Sequence, residues 1–354
     1  MKGLVLSGGK GTRLRPFTYT GAKQLVPLAN KPVLFYVLED LVAAGISDVG
    51  IVVGDTADQI KEAVGSGERF GCTVTYIQQD RPGGLAHAVK TARAFLGDDR
   101  FVVYLGDNFI QGGMKQFADQ FRHSEAASHL LLYHMPNPQS FGVAEIRDGL
   151  IVGLQEKPHE PKTDLALVGI YFFDHRFHAA IDATEPSGRG ELEMTDAIRK
   201  LLEMGNEVRP HILDGWWIDT GKMEDMLDAN RLVLQELTRR IDGEVDQASK
   251  LQGPVVVEAG AIVIDSVLRG PLIIGPGTRI ERSYVGPFSS IGPNCLVRDS
   301  EVAHTIVLEG SQILDLPHRI EDSLIGRDVT ITRSSGLPRA YNLMLGDHSK
   351  IELL

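Results

Sequence analysis

Evenly spaced aliphatic residues in the last third of the chain constrain the fold more than any other feature. Seven of them follow one another at intervals of six residues, with one interval of five: Ile262, Leu268, Ile274, Ile280, Val285, Ile291 and Val297. Hexapeptide spacing of this kind is typical of a left-handed β-helix, in which each aliphatic side chain fills the interior of a prism. The repeat becomes irregular after about Val307. An ordinary β-sandwich with accidental spacing is the alternative.

The first 240 residues show a different pattern, in which short apolar runs alternate with amphipathic helical stretches. Residues 3–6, 49–53, 74–77 and 101–105 are predicted strands, and residues 33–44, 57–64 and 86–95 are predicted helices. This order predicts an α/β, Rossmann-like domain around a mixed, mainly parallel sheet. We therefore expect a catalytic domain at 1–240, a polar linker at 241–252, and a β-helix with an irregular C-terminal tail at 253–354.

Charge and composition exclude several classes of protein. The 354 residues carry a formal net charge of −11, which argues against nonspecific binding to nucleic acid or to an anionic membrane. Two cysteines, Cys72 and Cys295, form no disulfide framework or metal-binding spacing. No apolar run approaches the roughly 18 residues of a membrane span, so we expect a cytoplasmic protein.

A glycine-rich loop directly follows the first predicted strand, beginning at Gly8. It contains Gly9 and Gly11 together with the cations Lys10 and Arg13. In open α/β sheets ligands bind beyond the carboxyl ends of strands, where glycines let backbone N–H groups approach phosphate oxygens. The loop is not a P-loop, because no Gly-Lys-Ser/Thr closes it, and it is not a dinucleotide fingerprint, because Leu14 stands where the third glycine would be. It predicts a phosphate site of another class.

Further motifs extend over nearly all of residues 1–240. They are GKGTRLRP at 9–16, KQLVP at 23–27, PGGLAHA at 82–88, LGDN at 105–108, FGVAE at 141–145, EKP at 156–158, GIY at 169–171, RGELEMTD at 189–196 and WIDTG at 217–221. In this order they resemble the sugar-1-phosphate nucleotidyltransferase family, and specifically its glucose-1-phosphate thymidylyltransferase branch. With the added hexapeptide domain, the chain is similar to the long form of that branch.

The resemblance implies transfer of dTMP from dTTP to α-D-glucose 1-phosphate, with release of pyrophosphate. It implies that Asp107 and Asp219 bind Mg²⁺, that Arg13 binds the leaving pyrophosphate, that Lys23 lies beside the triphosphate and that Lys157 holds the sugar phosphate. Such a reaction needs alignment and charge neutralisation rather than a nucleophilic side chain. A homo-oligomer, such as a trimer formed through the β-helix, is a further expectation.

The same resemblance assigns binding residues to each substrate. For the nucleotide they are Leu6, Gly8, Gly9, Gly11, Thr12, Arg13, Gln24, Gln79, Gly84, Leu85 and Asp107. For the sugar phosphate they are Asn108, Gly142, Glu156, Lys157, Leu167, Gly169 and Tyr171. Gln79 and the backbone of Gly84 are expected to recognise the base. One thymine methyl in an apolar pocket contributes only about 1–3 kcal/mol, so discrimination against UTP is expected to be modest.

Two residues depart from the short enzymes of the branch. His87 stands where those enzymes usually have Gln; it either packs in a helix or contacts the nucleotide. Lys222 stands where they usually have Thr, and either touches phosphate or faces solvent.

Three other functions compete with thymidylyl transfer. One is a uridylyltransferase or another enzyme of the same chemistry with a different substrate pair. Another is a bifunctional enzyme whose β-helix transfers acyl groups, with His304 as its only obvious base. The third is an inactive regulatory subunit, against which the complete set of site residues argues.

Overall fold

The computed structural model describes residues 1–9, 11–19, 21–334, 336 and 343–352. Its internal contacts divide the chain into two units. The first consists of Met1–Lys10, Gly21–Leu25 and Val33–Asp219, and the second of Gly11–Thr20, Val26–Pro32 and Thr220–Leu354. Neither unit is a single stretch of sequence. A contiguous catalytic domain ending at residue 240 therefore stays a sequence prediction.

Thirteen strands and seven helices precede residue 220 among the described residues. The strands are β1 (Lys2–Ser7), β2 (Pro27–Leu28), β3 (Lys31–Pro32), β4 (Asp48–Val53), β5 (Thr73–Gln78), β6 (Phe101–Leu105), β7 (Asn108–Ile110), β8 (Ser128–His134), β9 (Gly142–Arg147), β10 (Leu150–Glu156), β11 (Leu165–Phe173), β12 (Val208–Ile212) and β13 (Trp217–Asp219). The helices are α1 (Val33–Ala43), α2 (Ala57–Val64), α3 (Leu85–Thr91), α4 (Arg93–Leu96), α5 (Lys115–Arg122), α6 (Arg176–Asp182) and α7 (Met194–Glu203).

The first unit is built on a nine-stranded mixed sheet. Its main path runs β10-β9-β11-β6-β1-β4-β5, and β8 extends it by pairing with β11 and β12. The pairs among β6, β1, β4 and β5 are parallel, whereas β11 runs antiparallel to β6. Apolar clusters form on both sides, because strands such as β1 and β6 are buried on both faces. This is the predicted Rossmann-like fold.

A pair of histidines, the buried His129 and the half-buried His211, lies in this unit away from the strand ends described below. His211 Nε2 and His129 Nδ1 are 2.8 Å apart. Burial lowers the pKa of His129 to about 4, and the positive charges of His211, Arg209 and Arg100 act in the same direction. Both rings are therefore neutral at physiological pH, and one accepts a hydrogen bond that the other donates.

One helix and sixteen short strands make up the rest of the described second unit. They are α8 (Met223–Gln235), β14 (Arg240–Ile241), β15 (Glu244–Val245), β16 (Lys250–Gln252), β17 (Val255–Val257), β18 (Ile262–Ile264), β19 (Val267–Arg269), β20 (Leu272–Ile274), β21 (Arg279–Glu281), β22 (Tyr284–Val285), β23 (Ser289–Ile291), β24 (Leu296–Arg298), β25 (Glu301–Val302), β26 (Thr305–Val307), β27 (Gln312–Leu314), β28 (Ser323–Ile325) and β29 (Thr330–Thr332).

These strands form the predicted left-handed β-helix. They pair only in parallel and assemble into three sheets, β14-β17-β20-β23-β26-β28, β15-β18-β21-β24-β27-β29 and β16-β19-β22-β25. The register corrects the first interior residue, because Val263 pairs with Ile280 and Ile280 with Val297. Val263 is fully buried, while Ile262 is only half-buried.

The coil extends beyond the predicted repeat at both ends. Residues 241–252, which the sequence predicts as a linker, contain the end of β14 and all of β15 and β16, and these strands pair with β17, β18 and β19 as a first coil. At the other end Ile313 and Ile325 still fill the interior. Polar positions such as Asp246 and Ser249 form turns by bonding to each other, so their polarity does not indicate a linker.

Helix α8 packs within the second unit on the sheet that contains β23 and β26. Its buried Asn230 accepts hydrogen bonds from the Ala29 N–H at 2.8 Å and from the Ser290 hydroxyl at 2.7 Å, and donates one to the Phe288 carbonyl at 3.1 Å. The amide thus joins the hairpin β2–β3 to the coil. Within the described residues, no helix has both the length and the apolar run that crossing a bilayer requires.

Candidate functional site

The carboxyl ends of two adjacent parallel strands define the centre of the site. Leu6 of β1 pairs with Leu105 of β6, so the residues that follow each strand emerge side by side. Gly8 and Gly9 follow β1, and Asp107 follows β6 after Gly106. A parallel sheet places ligands at this edge, as the sequence predicts.

Lys23 and Asp107 form an ion pair at this edge. The Lys23 side chain is 16% exposed and that of Asp107 is 9% exposed, and a Cβ at Gly9 would lie 3.4 Å from Lys23 Cε. Burial alone would raise the pKa of the Asp107 carboxyl, but the charge of Lys23 and hydrogen bonds from Lys23 and Asn108 hold it below its usual range. The carboxylate is therefore ionised at neutral pH, as a cation ligand must be.

Asp219 reaches the same place through a short antiparallel strand pair. In the pairing of β13 with β7, Asp219 is directly opposite Asn108, the residue after Asp107. The Trp217 indole donates to Asn108 Oδ1 at 2.8 Å, and Asn108 Nδ2 donates to Asp107 Oδ1 at 3.1 Å. An indole N–H can only donate, so the amide has one orientation, with its donor toward the carboxylate. Strand pairing thus brings Asp219 next to Asn108, whose amide orients Asp107, 112 positions before Asp219 in the numbering.

Two fully buried polar atoms beside Gly106 have no hydrogen-bond partner among the described residues. They are the Ser7 hydroxyl oxygen and Gln24 Oε1, with the two residues 0% and 1% exposed. A Cβ at Gly106 would lie 2.6 Å from Ser7 Oγ and 3.3 Å from Gln24 Cγ, so only glycine fits there. Buried polar atoms without a hydrogen-bond partner are uncommon and cost free energy. Such atoms are typical of a surface that binds a ligand.

Gln79 and His87 flank the glycine loop on the β5 side. Gln79 follows β5, and its Oε1 lies 3.1 Å from where a Cβ of Gly8 would be. Gln79 Nε2 is 3.0 Å from His87 Nδ1 and 3.5 Å from the Gly84 carbonyl. Gly84 has φ +99° and lies against the backbone of Leu192, a position that only glycine occupies without strain.

The predicted sugar residues gather where β9 and β10 pair. Gly142 is opposite Glu156, and a Cβ at Gly142 would collide with the side chains of Thr195 and Leu167. Thr195 donates to Glu156 Oε2 at 3.1 Å, and Lys157 Nζ lies 3.2 Å from Glu156 Oε1.

Tyr171 and Gly169 connect this region to the strand-end centre. Burial raises the pKa of the Tyr171 phenol, and the negative charges of Glu156 and Asp219 raise it further. A Cβ at Gly169 would lie 2.8 Å from Asn108 Cγ. The phenol therefore keeps its proton beside two carboxylates and can donate to a ligand.

Several residues that contact the predicted site residues have no role assigned from the sequence. Trp217 and Thr195 contact predicted residues directly, and Arg189 forms ion pairs with Glu193 and Glu156. Trp217, Thr195, Arg189 and Glu193 lie within the motifs at 189–196 and 217–221, but the sequence assigns them no role. The missing signal was pairing across the sheet, which sequence spacing does not encode.

Of the remaining predicted nucleotide residues, Leu85 begins α3 in the first unit, whereas Gly11, Thr12 and Arg13 belong to the second unit. Gly11 has φ +62° and precedes the single 3₁₀ turn Thr12–Leu14, and its carbonyl accepts from the Thr18 hydroxyl at 2.6 Å. Thr12 and Arg13 are exposed. Lys10, which the sequence places in this loop, lies outside the described residues. In the same unit Lys222 is exposed, and His304 pairs with Asp322.

The donor set near Asp107 suits a hard divalent cation. In the part of the chain that the structure describes, no group of three or more His, Cys, Asp or Glu side chains gathers as a metal cage. Mg²⁺ is usually held by one or two carboxylates with substrate phosphates and water, rather than by such a cage. Asp107 and Asp219 therefore fit a magnesium ion that arrives with a polyphosphate.

Comparison with known proteins identifies the family to which the chain belongs. The model of the nucleotidyl transferase family matches residues 2–236. A glucose-1-phosphate thymidylyltransferase of Streptomyces griseus is 55% identical over 354 residues, covering 100% of this chain and 99% of the relative. One from Streptomyces antibioticus is 54% identical over 355 residues, with the same coverage of both chains. The solved structure of a Bacillus anthracis protein assigned as glucose-1-phosphate thymidylyltransferase, in complex with sucrose, has a TM-score of 0.62 and 36% identity, covering 66% of this chain and 94% of that one.

Proposed function

The chain belongs to the nucleotidyl transferase family, and from that premise we propose that it transfers dTMP from dTTP to α-D-glucose 1-phosphate, releasing pyrophosphate. Similarity over the full length to two thymidylyltransferases supports this substrate pair. The structural observation that supports it most is that Asp219 lies opposite Asn108, beside the Lys23–Asp107 ion pair at the ends of β1 and β6.

The proposed chemistry forms one bond and breaks one. A phosphate oxygen of the sugar phosphate attacks the α-phosphorus of dTTP, and the bond from that phosphorus to the pyrophosphate oxygen breaks. Charge builds on phosphate oxygens, so cations rather than a nucleophilic side chain do the stabilising. We assign Lys23 to the triphosphate and Arg13 to the departing pyrophosphate, since a guanidinium can hold two phosphate oxygens at once.

Magnesium completes the proposed charge balance. Asp107 and Asp219 would hold it, and when bound it would neutralise the polyphosphate and the attacking phosphate. The chain's own contribution is to keep Asp107 ionised through Lys23 and oriented through Asn108.

The sugar phosphate is assigned to the region around Glu156. Its carboxylate, positioned by Thr195, is suited to accept hydrogen bonds from sugar hydroxyls. The Lys157 side chain is half exposed, and its ammonium group already lies close to this carboxylate. The ammonium can therefore bind the sugar phosphate without a rearrangement that first exposes it. The Tyr171 hydroxyl supplies a neutral donor beside them.

The substrate assignment is tested by measuring pyrophosphate release and the sugar nucleotide formed. With Mg²⁺ and glucose 1-phosphate, dTTP should give equal amounts of both products, UTP should react within roughly 10- to 200-fold of dTTP, and purine triphosphates should react far more slowly. Failure to form a sugar nucleotide from dTTP, or a clear preference for a purine, would refute the proposal.

The sugar-phosphate assignment has its own test in a matched pair of lysines. Lys157→Met should raise the KM for glucose 1-phosphate by roughly tenfold to a hundredfold while leaving that for dTTP unchanged, because one charge-assisted hydrogen bond is lost. Lys162→Met is the control, since Lys162 is 61% exposed and pairs only with Glu145 among the described contacts. Equal kinetics of the two variants would remove Lys157 from the site.

A further inference from the structure

The Gln79 side chain has a defined orientation in the structure. One of its amide atoms lies 3.5 Å from the Gly84 carbonyl and 3.0 Å from His87 Nδ1. A carbonyl oxygen can only accept, so the amide atom facing it must be the NH₂ group. The other amide atom, Oε1, is therefore the one beside Gly8. Gln79 thus presents an acceptor, not a donor, toward the glycine loop.

His87 fixes this orientation through its tautomer. Because the Gln79 NH₂ group donates to Nδ1, the ring must accept there and carry its proton on Nε2. Nε2 lies 3.6 Å from the Asp80 carboxylate, whose negative charge favours a proton on that nitrogen. The ring is 14% exposed and packs on Gly83, where a Cβ would lie 2.6 Å from His87 Cγ.

We propose that His87 is a positioning residue for base recognition, and this inference rests on the proposed function. By holding the NH₂ group of Gln79, it leaves Oε1 as an acceptor for the N3–H of a thymine or uracil ring. Cytosine has an acceptor at N3, so the lone pair of N3 would face the lone pairs of Gln79 Oε1 and no hydrogen bond could form. A reversed amide would place its donors against N3–H and favour cytosine instead. His87 therefore selects the class of pyrimidine without touching it.

The test compares two substitutions of His87 by their effect on different triphosphates. His87→Leu removes the acceptor, so kcat/KM for dTTP and for UTP should fall together by about tenfold, the cost of one misoriented hydrogen bond. The value for dCTP should not fall, and the KM for glucose 1-phosphate should not change. His87→Asn can accept through Oδ1 and should restore dTTP turnover to within about threefold of the original chain. His134→Leu is the control, since it removes another His–Asp pair from the same unit.

A double-mutant cycle shows whether His87 acts through Gln79. In a Gln79→Ala background, His87→Leu should have no further effect on dTTP turnover. An equal effect in both backgrounds, or an equal fall for dTTP and dCTP, would overturn the proposal. If the His87→Leu variant does not fold, the His87→Asn and Gln79→Ala variants still test the proposal. Full loss of dTTP turnover in the His87→Asn variant would contradict the proposal. The unmodified chain's turnover of dTTP tests the proposed function separately.

Discussion

Replacing Trp217 by Phe should damage the site through a single lost hydrogen bond. The indole donates at 2.8 Å to Asn108 Oδ1, and both residues are buried, at 7% and 2% exposure. Phe keeps an aromatic ring against Phe141 and Tyr133 but has no donor. Asn108 Oδ1 is then a buried acceptor without a partner, which costs about 1–3 kcal/mol.

The kinetic consequence follows from the amide of Asn108. Once released, it can rotate until Oδ1 faces the Asp107 carboxylate, and two acceptors then repel each other. Because 1.4 kcal/mol corresponds to a factor of ten, kcat/KM for dTTP should fall roughly tenfold to a hundredfold. The free energy of unfolding should fall by about 1–2 kcal/mol at the same time.

Trp216→Phe provides the matched control for this prediction. Trp216 is the preceding residue, is half-buried and packs edge-on against Phe109 with ring centroids 5.4 Å apart. Steady-state kinetics and urea denaturation of both variants would separate lost packing from lost orientation. If Trp217→Phe retains kcat/KM within twofold of Trp216→Phe, Asn108 does not orient Asp107 and the reasoning fails.

Two further predictions concern stability. His129 has a pKa of about 4 in the folded chain and roughly 6.5 in the unfolded chain. Between these two values the unfolded chain binds more protons than the folded chain. The free energy of unfolding should therefore fall by about 3 kcal/mol as the pH is lowered from 6.5 to 4. His129→Gln should flatten the slope of unfolding free energy against pH; an unchanged slope would assign the acid sensitivity elsewhere. Asn230→Ala removes three hydrogen bonds, so amide exchange protection in β20 and β23 should fall by about 3 kcal/mol, whereas unchanged protection would show that the hairpin contact is not stabilising.

The parallel strands could be predicted because their signal is local. Residues 101–105 are a strand with the predicted bounds, and residues 49–53 differ from the observed strand only at its first residue. The interior residues of the β-helix could be predicted equally well, because their repeat is a property of the sequence. The sequence does not distinguish Ile262 from Val263 as the interior residue, because both are aliphatic and adjacent. Only the pairing of Val263 with Ile280 identifies Val263.

The remaining features depend on contacts between distant segments. Residues 241–252 have the polarity of a linker, yet they pair with the next coil, because a β-helix turn tolerates polar residues outside its prism. The inclusion of Gly11–Thr20 in the second unit has no local signal. The role of His87 depends on Gln79, eight residues earlier and across a turn. Motifs indicated the candidate residues, and the pairing of strands and side chains shows how those residues are oriented.

The most direct measurement concerns Asp107 and Asp219, which should act on one reacting centre. Asp107→Asn and Asp219→Asn should each lower kcat by at least about a thousandfold, and the double variant should be little worse than either, because residues acting as a unit are not additive. Asp119→Asn, an exposed partner of Arg122, should keep full activity. A double variant whose loss equals the product of the two single losses, or a single variant that keeps a tenth of the activity, would contradict a shared site.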